Sequence, residues 1–116
     1  MEQIIPVDLG FSVADGEDIE VHFSGGDLVL RFVNWQGQPI EHHFVETLAF
    51  RWSAMPSHPT PRDDSTYEVL LSAWLDNEIR VEGFPMTGDF AHHILYFNAG
   101  KVLEVISRRA IGVKAG

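Results

Sequence analysis

Between Ile19 and Phe32 the apolar residues fall on every second position. Ile19, Val21 and Phe23 form one run and Leu28, Leu30 and Phe32 the next, with Glu20, His22, Val29 and Arg31 on the alternate phase. Period-two alternation marks a strand that buries one face. Gly25-Gly26 separates the two runs, and a two-residue glycine turn predicts a tight hairpin. The register that follows sets Phe23 opposite Leu28, Val21 opposite Leu30 and Ile19 opposite Phe32, so that every core pair is apolar. The same register puts Glu20 opposite Arg31 on the polar face, a cross-strand pair worth ~0.2–1 kcal/mol. Both faces therefore select one register, because a slip by one residue would invert them together.

The next turn is Trp35-Gln36-Gly37. A three-residue loop with Gly37 in the left-handed position pairs Phe32 with Ile40, Leu28 with Phe44 and Arg31 with Glu41. A two-residue loop at Gln36-Gly37 would set Phe32 against Glu41 and spoil the core face, so the longer loop is predicted. Beyond Phe44 the apolar phase continues through Leu48, Phe50 and Trp52, interrupted by Glu46. One bent strand over 39–53, or two strands with a turn near Glu46-Thr47, would both read this way.

Pro56, Pro59 and Pro61 exclude the stretch 54–64 from a sheet interior and predict a surface loop. Tyr67 to Leu71 reads as a short strand or a helix start, and Ser72-Ala73-Trp74-Leu75 as one or two helical turns with Ser72 as N-cap. A second loop over Gly83 to Asp89 leads to a closing hairpin: Ala91 to Phe97, a turn at Asn98-Ala99-Gly100, then Lys101 to Ser107. Both of its strands are apolar on both faces, which predicts central strands covered on both sides, by the helix or by a second sheet layer. The fold class expected is α+β, mainly β: an antiparallel meander plus a C-terminal hairpin with one short helix, two-layered or a partly open barrel.

Composition narrows the picture. A chain of 116 residues with 45% hydrophobic and 11% aromatic residues suits a single β-rich domain over 1–116 with a packed interior. The absence of cysteine removes disulfides, thiolate metal sites and a cysteine nucleophile, and points to the cytoplasm. The N-terminal residues lack the basic and apolar regions of a secretory signal, and no stretch approaches the ~18 apolar residues of a membrane span.

Charge changes the choice of partner. Seventeen acidic residues against eight basic ones give −9, and the seven carboxylates before Arg31 precede any Lys or Arg. Such a field repels nucleic acid and anionic membranes, apart from a short basic tail at Arg108, Arg109 and Lys114, and it favours a basic protein. A purely solubilising charge is the plainer alternative.

Candidate chemistry is sparse. His42-His43 and His92-His93 lie in predicted strands, where neighbours point to opposite faces, so neither pair chelates one ion. His22 and His43 do share the polar face on either side of Val29, near Glu20 and Glu41. These four have ligand types suited to zinc or non-haem iron, but Arg31 between the carboxylates opposes a cation there, and amphipathic strand histidines are the plainer reading. Ser57-His58 reads as loop composition and Asp63-Asp64 as the entry to a structural element. No nucleophile elbow, phosphate loop or EF-hand spacing occurs, and no catalytic residue or cofactor is expected.

Aromatics outside the core phase say more. Trp35 at a hairpin tip, Phe84 in a Gly-Phe-Pro loop and Phe90 ahead of a strand are candidates for partner contact, although Trp35 folded back on the sheet fits equally. Trp52 and Trp74 fit core phases and read as packing.

The segments Leu28-Val29-Leu30-Arg31-Phe32 with a Trp soon after, Phe50-Arg51-Trp52, Tyr67-Glu68-Val69 with Ser72-Ala73-Trp74-Leu75, and His93-Ile94-Leu95-Tyr96-Phe97-Asn98 with Leu103-Glu104-Val105-Ile106, resemble small uncharacterised bacterial β-rich proteins. Some of these are similar to immunity proteins of toxin systems. The resemblance spans roughly Leu28 to Ile106, rests on core positions and transfers no catalytic residue. Together these features lead to the expectation of a non-enzymatic protein-binding module, immunity-like toward a basic partner or self-associating. The alternative is a small-ligand or metal-dependent enzyme using histidines under the 54–64 loop.

Overall fold

The computed structural model describes residues 2–83, 88–98 and 100–109. In chain order the elements are β1 (Gln3–Pro6), β2 (Glu17–Ser24), β3 (Asp27–Val33), β4 (Pro39–Phe44), β5 (Ala49–Ser53), β6 (Ser65–Leu70), α1 (Ala73–Glu82), β7 (Phe90–Asn98) and β8 (Lys101–Arg108). They form two antiparallel sheets, one of three strands in the order β2-β3-β4 and one of five in the order β1-β6-β7-β8-β5. Among the described residues the fold is thus mainly β with one helix, and two-layered rather than a barrel.

The three-stranded sheet carries the predicted registers: Phe23 with Leu28, Val21 with Leu30, Glu20 with Arg31, Phe32 with Ile40, Leu28 with Phe44 and Arg31 with Glu41. The three-residue loop is present, since Asn34 N–H donates to Gln38 O and Gly37 takes φ 76. One pairing differs. The register of β2 shifts between Glu17 and Glu20, with Asp18 at φ 52, so the ladder does not carry the expected Ile19–Phe32 pair. A bulge of this kind bends an edge strand while Ile19 still packs on the core.

The segment 39–53 is two strands. Glu46 takes φ 46, Thr47 Oγ1 donates to Phe44 O and Thr47 N–H donates to Gly26 O, which turns the chain out of the first sheet. β5 then pairs with β8 in the second sheet, Phe50 opposite Val105 and Trp52 opposite Leu103.

β7 and β8 are apolar on both faces because both faces are covered. On one side Leu95, Phe97, Leu103 and Val105 meet Leu28, Leu30, Phe32 and Phe44 of the other sheet. On the other side Phe90 and Ile106 meet Leu75 and Ile79 of α1. The helix starts where expected, with the Ser72 hydroxyl oxygen accepting from Leu75 N–H. It runs ten residues, well past the turn or two expected, and stops at Gly83 in a left-handed cap. No helix among the described residues is long and apolar enough to cross a membrane.

Candidate functional site

The two sheets do not close on each other along one side. β2 is an edge of the first sheet and β5 an edge of the second, and their inward aromatic positions meet there: the rings of Phe23 and Phe50 lie 5.4 Å apart. Alternation aims Phe23, Phe50 and Trp52 at the core, yet they stay 51%, 39% and 46% exposed because, among the described residues, no strand lies beyond them. Trp52, read from its phase as packing, touches the core through Phe97 at 6.2 Å but presents nearly half its surface to solvent. Exposed aromatics continuous with a core form a surface ready to be covered.

The edge strand β2 is acidic, with Glu20 facing outward opposite Arg31. Glu17, Asp18 and Glu20 lie on β2, and among the described residues none of them has an ion-pair partner. Next to them a groove of about 830 Å³ runs over Ile19, Phe32 and Ile40, with Asp18, Glu20 and the Arg31–Glu41 pair at its rim.

A second cluster lies under the 54–64 loop. Glu104 and His92 face the helix side of the five-stranded sheet and are fully buried. Leu75 N–H donates to Ser72 Oγ at 3.1 Å, the Ser72 hydroxyl donates to His92 Nδ1 at 2.7 Å, and His92 Nε2 donates to Glu104 Oε1 at 2.7 Å. The Glu104 carboxylate, which can only accept, thereby fixes the ring tautomer, and the Ser72 hydroxyl donates to the nitrogen left bare. The loop reaches the same carboxylate: the Ser57 hydroxyl donates to Glu104 Oε1 at 2.6 Å and Ser57 N–H to Glu104 Oε2 at 2.8 Å. His58 then bridges outward, Nδ1 to Ser57 Oγ at 2.6 Å and Nε2 to Glu2 Oε1 at 3.0 Å, while Glu2 accepts from Ala73 N–H.

Burial by itself would raise Glu104. The hydrogen bonds from His92 and Ser57 and the Arg51 guanidinium outweigh it and hold the carboxyl at about 2. Arg51 also stacks over the Trp74 ring at 4.4 Å. Chemically the cluster is a charged clasp joining the start of β1, the proline loop, the helix N-terminus, β7 and β8. Ser57-His58, expected to be loop composition only, is its hinge piece. The available signal was Glu104 itself, since a carboxylate in a strand apolar on both faces must find donors.

The other expected site residues separate. His22 and His43 stand opposite Val29 from either side, as predicted. Glu41, however, accepts from Arg31 at 2.6 Å and contacts His43 Nε2 at 2.8 Å, so its ligand capacity is spent. Among the described residues no group of His, Asp and Glu is arranged to hold a metal. His42 packs between Phe11 and Phe44, and His93 lies between the sheets, 3.9 Å from Glu68.

Trp35 is 61% exposed at its hairpin tip. Phe90 corrects an expectation of exposure: it is the first residue of β7, buried under Leu75 and Ile79, with the Arg108 guanidinium 4.8 Å over its ring. The reason is the length of α1, whose second turn supplies the cover that a shorter helix would lack. Phe84 lies outside the described residues. In the basic tail Arg108 pairs with Glu46 and Arg109 with the buried Glu68 through both guanidinium nitrogens, so both charges are engaged within the fold; Lys114 lies outside the described residues.

No protein-family model, curated protein or solved structure matches this chain. The functional reading rests on geometry.

Proposed function

We propose that this chain is a non-enzymatic module that holds a basic protein partner against the open side of its two-sheet fold. The observation that supports this most directly is the strip Phe23–Phe50–Trp52, inward-facing by alternation yet left in solvent where the acidic edge strand β2 meets β5, with Glu17 and Asp18 having no ion-pair partner among the described residues. Apolar anchors inside a charged rim are the usual anatomy of a partner surface, with aromatics supplying affinity and charge supplying rate and choice of partner. Inhibition by covering a basic partner, as the resemblance to immunity proteins implies, is one use of such a surface. The clasp under the 54–64 loop lends no support to an enzymatic reading, because His92 and Glu104 have no exposed surface with which to meet a substrate.

The test compares the wild-type chain with the double variant Phe50→Ser, Trp52→Ser, both immobilised and challenged with host lysate at low salt. A protein retained by the wild type, released by high salt and lost by more than roughly tenfold on the folded variant is the expected result. Equal retention by both chains, or none by either, refutes the proposal.

A further inference from the structure

Two sheets have four edges, and three of these carry features that keep other chains from pairing with them. β1 is only four residues long and ends on Pro6. β4 opens on Pro39 and carries Glu41 and His43. β2 is broken by its bulge at Asp18 and lined with carboxylates. Short length, proline, charge and bulges are the ordinary protections of an edge strand.

β5, five residues long, has neither proline nor a bulge. Ala49-Phe50-Arg51-Trp52-Ser53 contains no proline, and its ladder with β8 runs without a shift from Ala49–Ile106 to Ser53–Val102. Its one charge, Arg51, points to the helix face, drawn toward Glu104 and over Trp74. Among the described residues no backbone hydrogen bond reaches the outer side of the strand. On the inner side Phe50 and Trp52 offer apolar contact to whatever pairs there.

We infer that β5 is a docking edge that takes an extended segment of the partner as a sixth strand. This rests on the partner-binding reading above and names the form of the partner. Main-chain bonds to β5 would give the segment its register, and alternate side chains its selectivity. Those facing inward are apolar, since they lie on Phe50 and Trp52 and toward Phe23 of β2. The segment as a whole carries Lys or Arg, since the chain stands at −9 and, on the edge strand of the other sheet, Glu17 and Asp18 have no ion-pair partner among the described residues. The same charge argues against a second copy of the chain as the occupant, because pairing two β5 edges would bring two such fields together.

The test uses the full chain and a nine-residue peptide with a five-residue valine–threonine alternation between pairs of lysines, with two controls: the counterpart with glutamates in place of the lysines, and the lysine peptide N-methylated at every second amide. Binding is read by anisotropy of the labelled peptide and by amide exchange at Ala49 to Ser53. The expected result is binding of the basic peptide at least roughly tenfold tighter than of either control, with slowed exchange in β5. Equal binding of the methylated peptide, or unchanged exchange in β5, overturns strand addition and leaves the broader reading to the capture experiment. Failure of the basic peptide to bind also overturns it. A chain that sediments as a dimer with β5 amides already protected overturns it in favour of self-pairing. Undiminished binding to the Phe50→Ser, Trp52→Ser variant counts against both readings.

Discussion

At the scale of single residues the molecule concentrates its polar cost at Glu104. A buried carboxylate without donors would take up a proton, so its two oxygens are met by His92, the Ser57 hydroxyl and the Ser57 N–H. The two serines in the clasp are not equivalent. Ser72 is 1% exposed and serves two groups at once, Leu75 N–H and His92 Nδ1, so Ser72→Ala leaves a buried ring nitrogen with no donor and uncaps the helix. Ser57 sits on an exposed loop, where water can replace what Ser57→Ala removes. Urea unfolding should therefore show a loss of about 2–3 kcal/mol for Ser72→Ala and about 1 kcal/mol or less for Ser57→Ala. The second variant should instead speed protease cleavage within 54–64. Equal losses in stability would show that the clasp is not buried as described.

At the scale of elements, what was legible in the sequence was what is local. The β2–β3–β4 registers follow from alternation and two turns, because each strand pairs with its neighbour in sequence. β5 was not legible in that way: its partner β8 is some fifty residues on, and nothing in Ala49-Phe50-Arg51-Trp52-Ser53 says that it changes sheets, so Trp52 read as core. The Ser57–Glu104 contact was hidden for the same reason. The segment between β1 and β2 shows another non-local fit. A Cβ on Gly16 would lie 2.9 Å from the Phe97 ring and 3.2 Å from that of Phe32, two buried rings that meet edge to face. The backbone there is not left-handed, so Gly16→Ala tests packing alone. It should cost about 1–3 kcal/mol by overpacking. Phe97→Leu in the same chain should recover part of that cost, read as a non-additive double-mutant cycle in chemical denaturation. An additive cycle would remove the packing explanation.

At the scale of the whole molecule, acid sets two opposing tendencies against each other. Protonating surface carboxylates relieves the self-repulsion of a chain at −9, which favours the folded state as pH falls. The interior works the other way. Burial between the sheets pushes His93 down to about 4; Glu68 opposes that shift, and Arg109, His92 and His42 add to it. Among the described residues His93 Nδ1 has no hydrogen-bond partner to reward a proton there. In the unfolded chain this imidazole takes up its proton near 6.5, so between there and about 4 the unfolded state binds more protons and stability declines as pH falls. The whole of that window amounts to about 3 kcal/mol. Glu104 takes over below it: its stabilisation is complete above the ordinary 4.5 and is lost as pH falls toward about 2. Comparing variants with the wild type cancels the surface effect, which they share. Between pH 6.5 and 4.5 His93→Gln should therefore flatten the decline in urea-derived stability, and Glu104→Gln should leave its slope unchanged. Below pH 4.5 the roles should exchange. A wild-type slope in His93→Gln across the upper window would place the titrating group elsewhere.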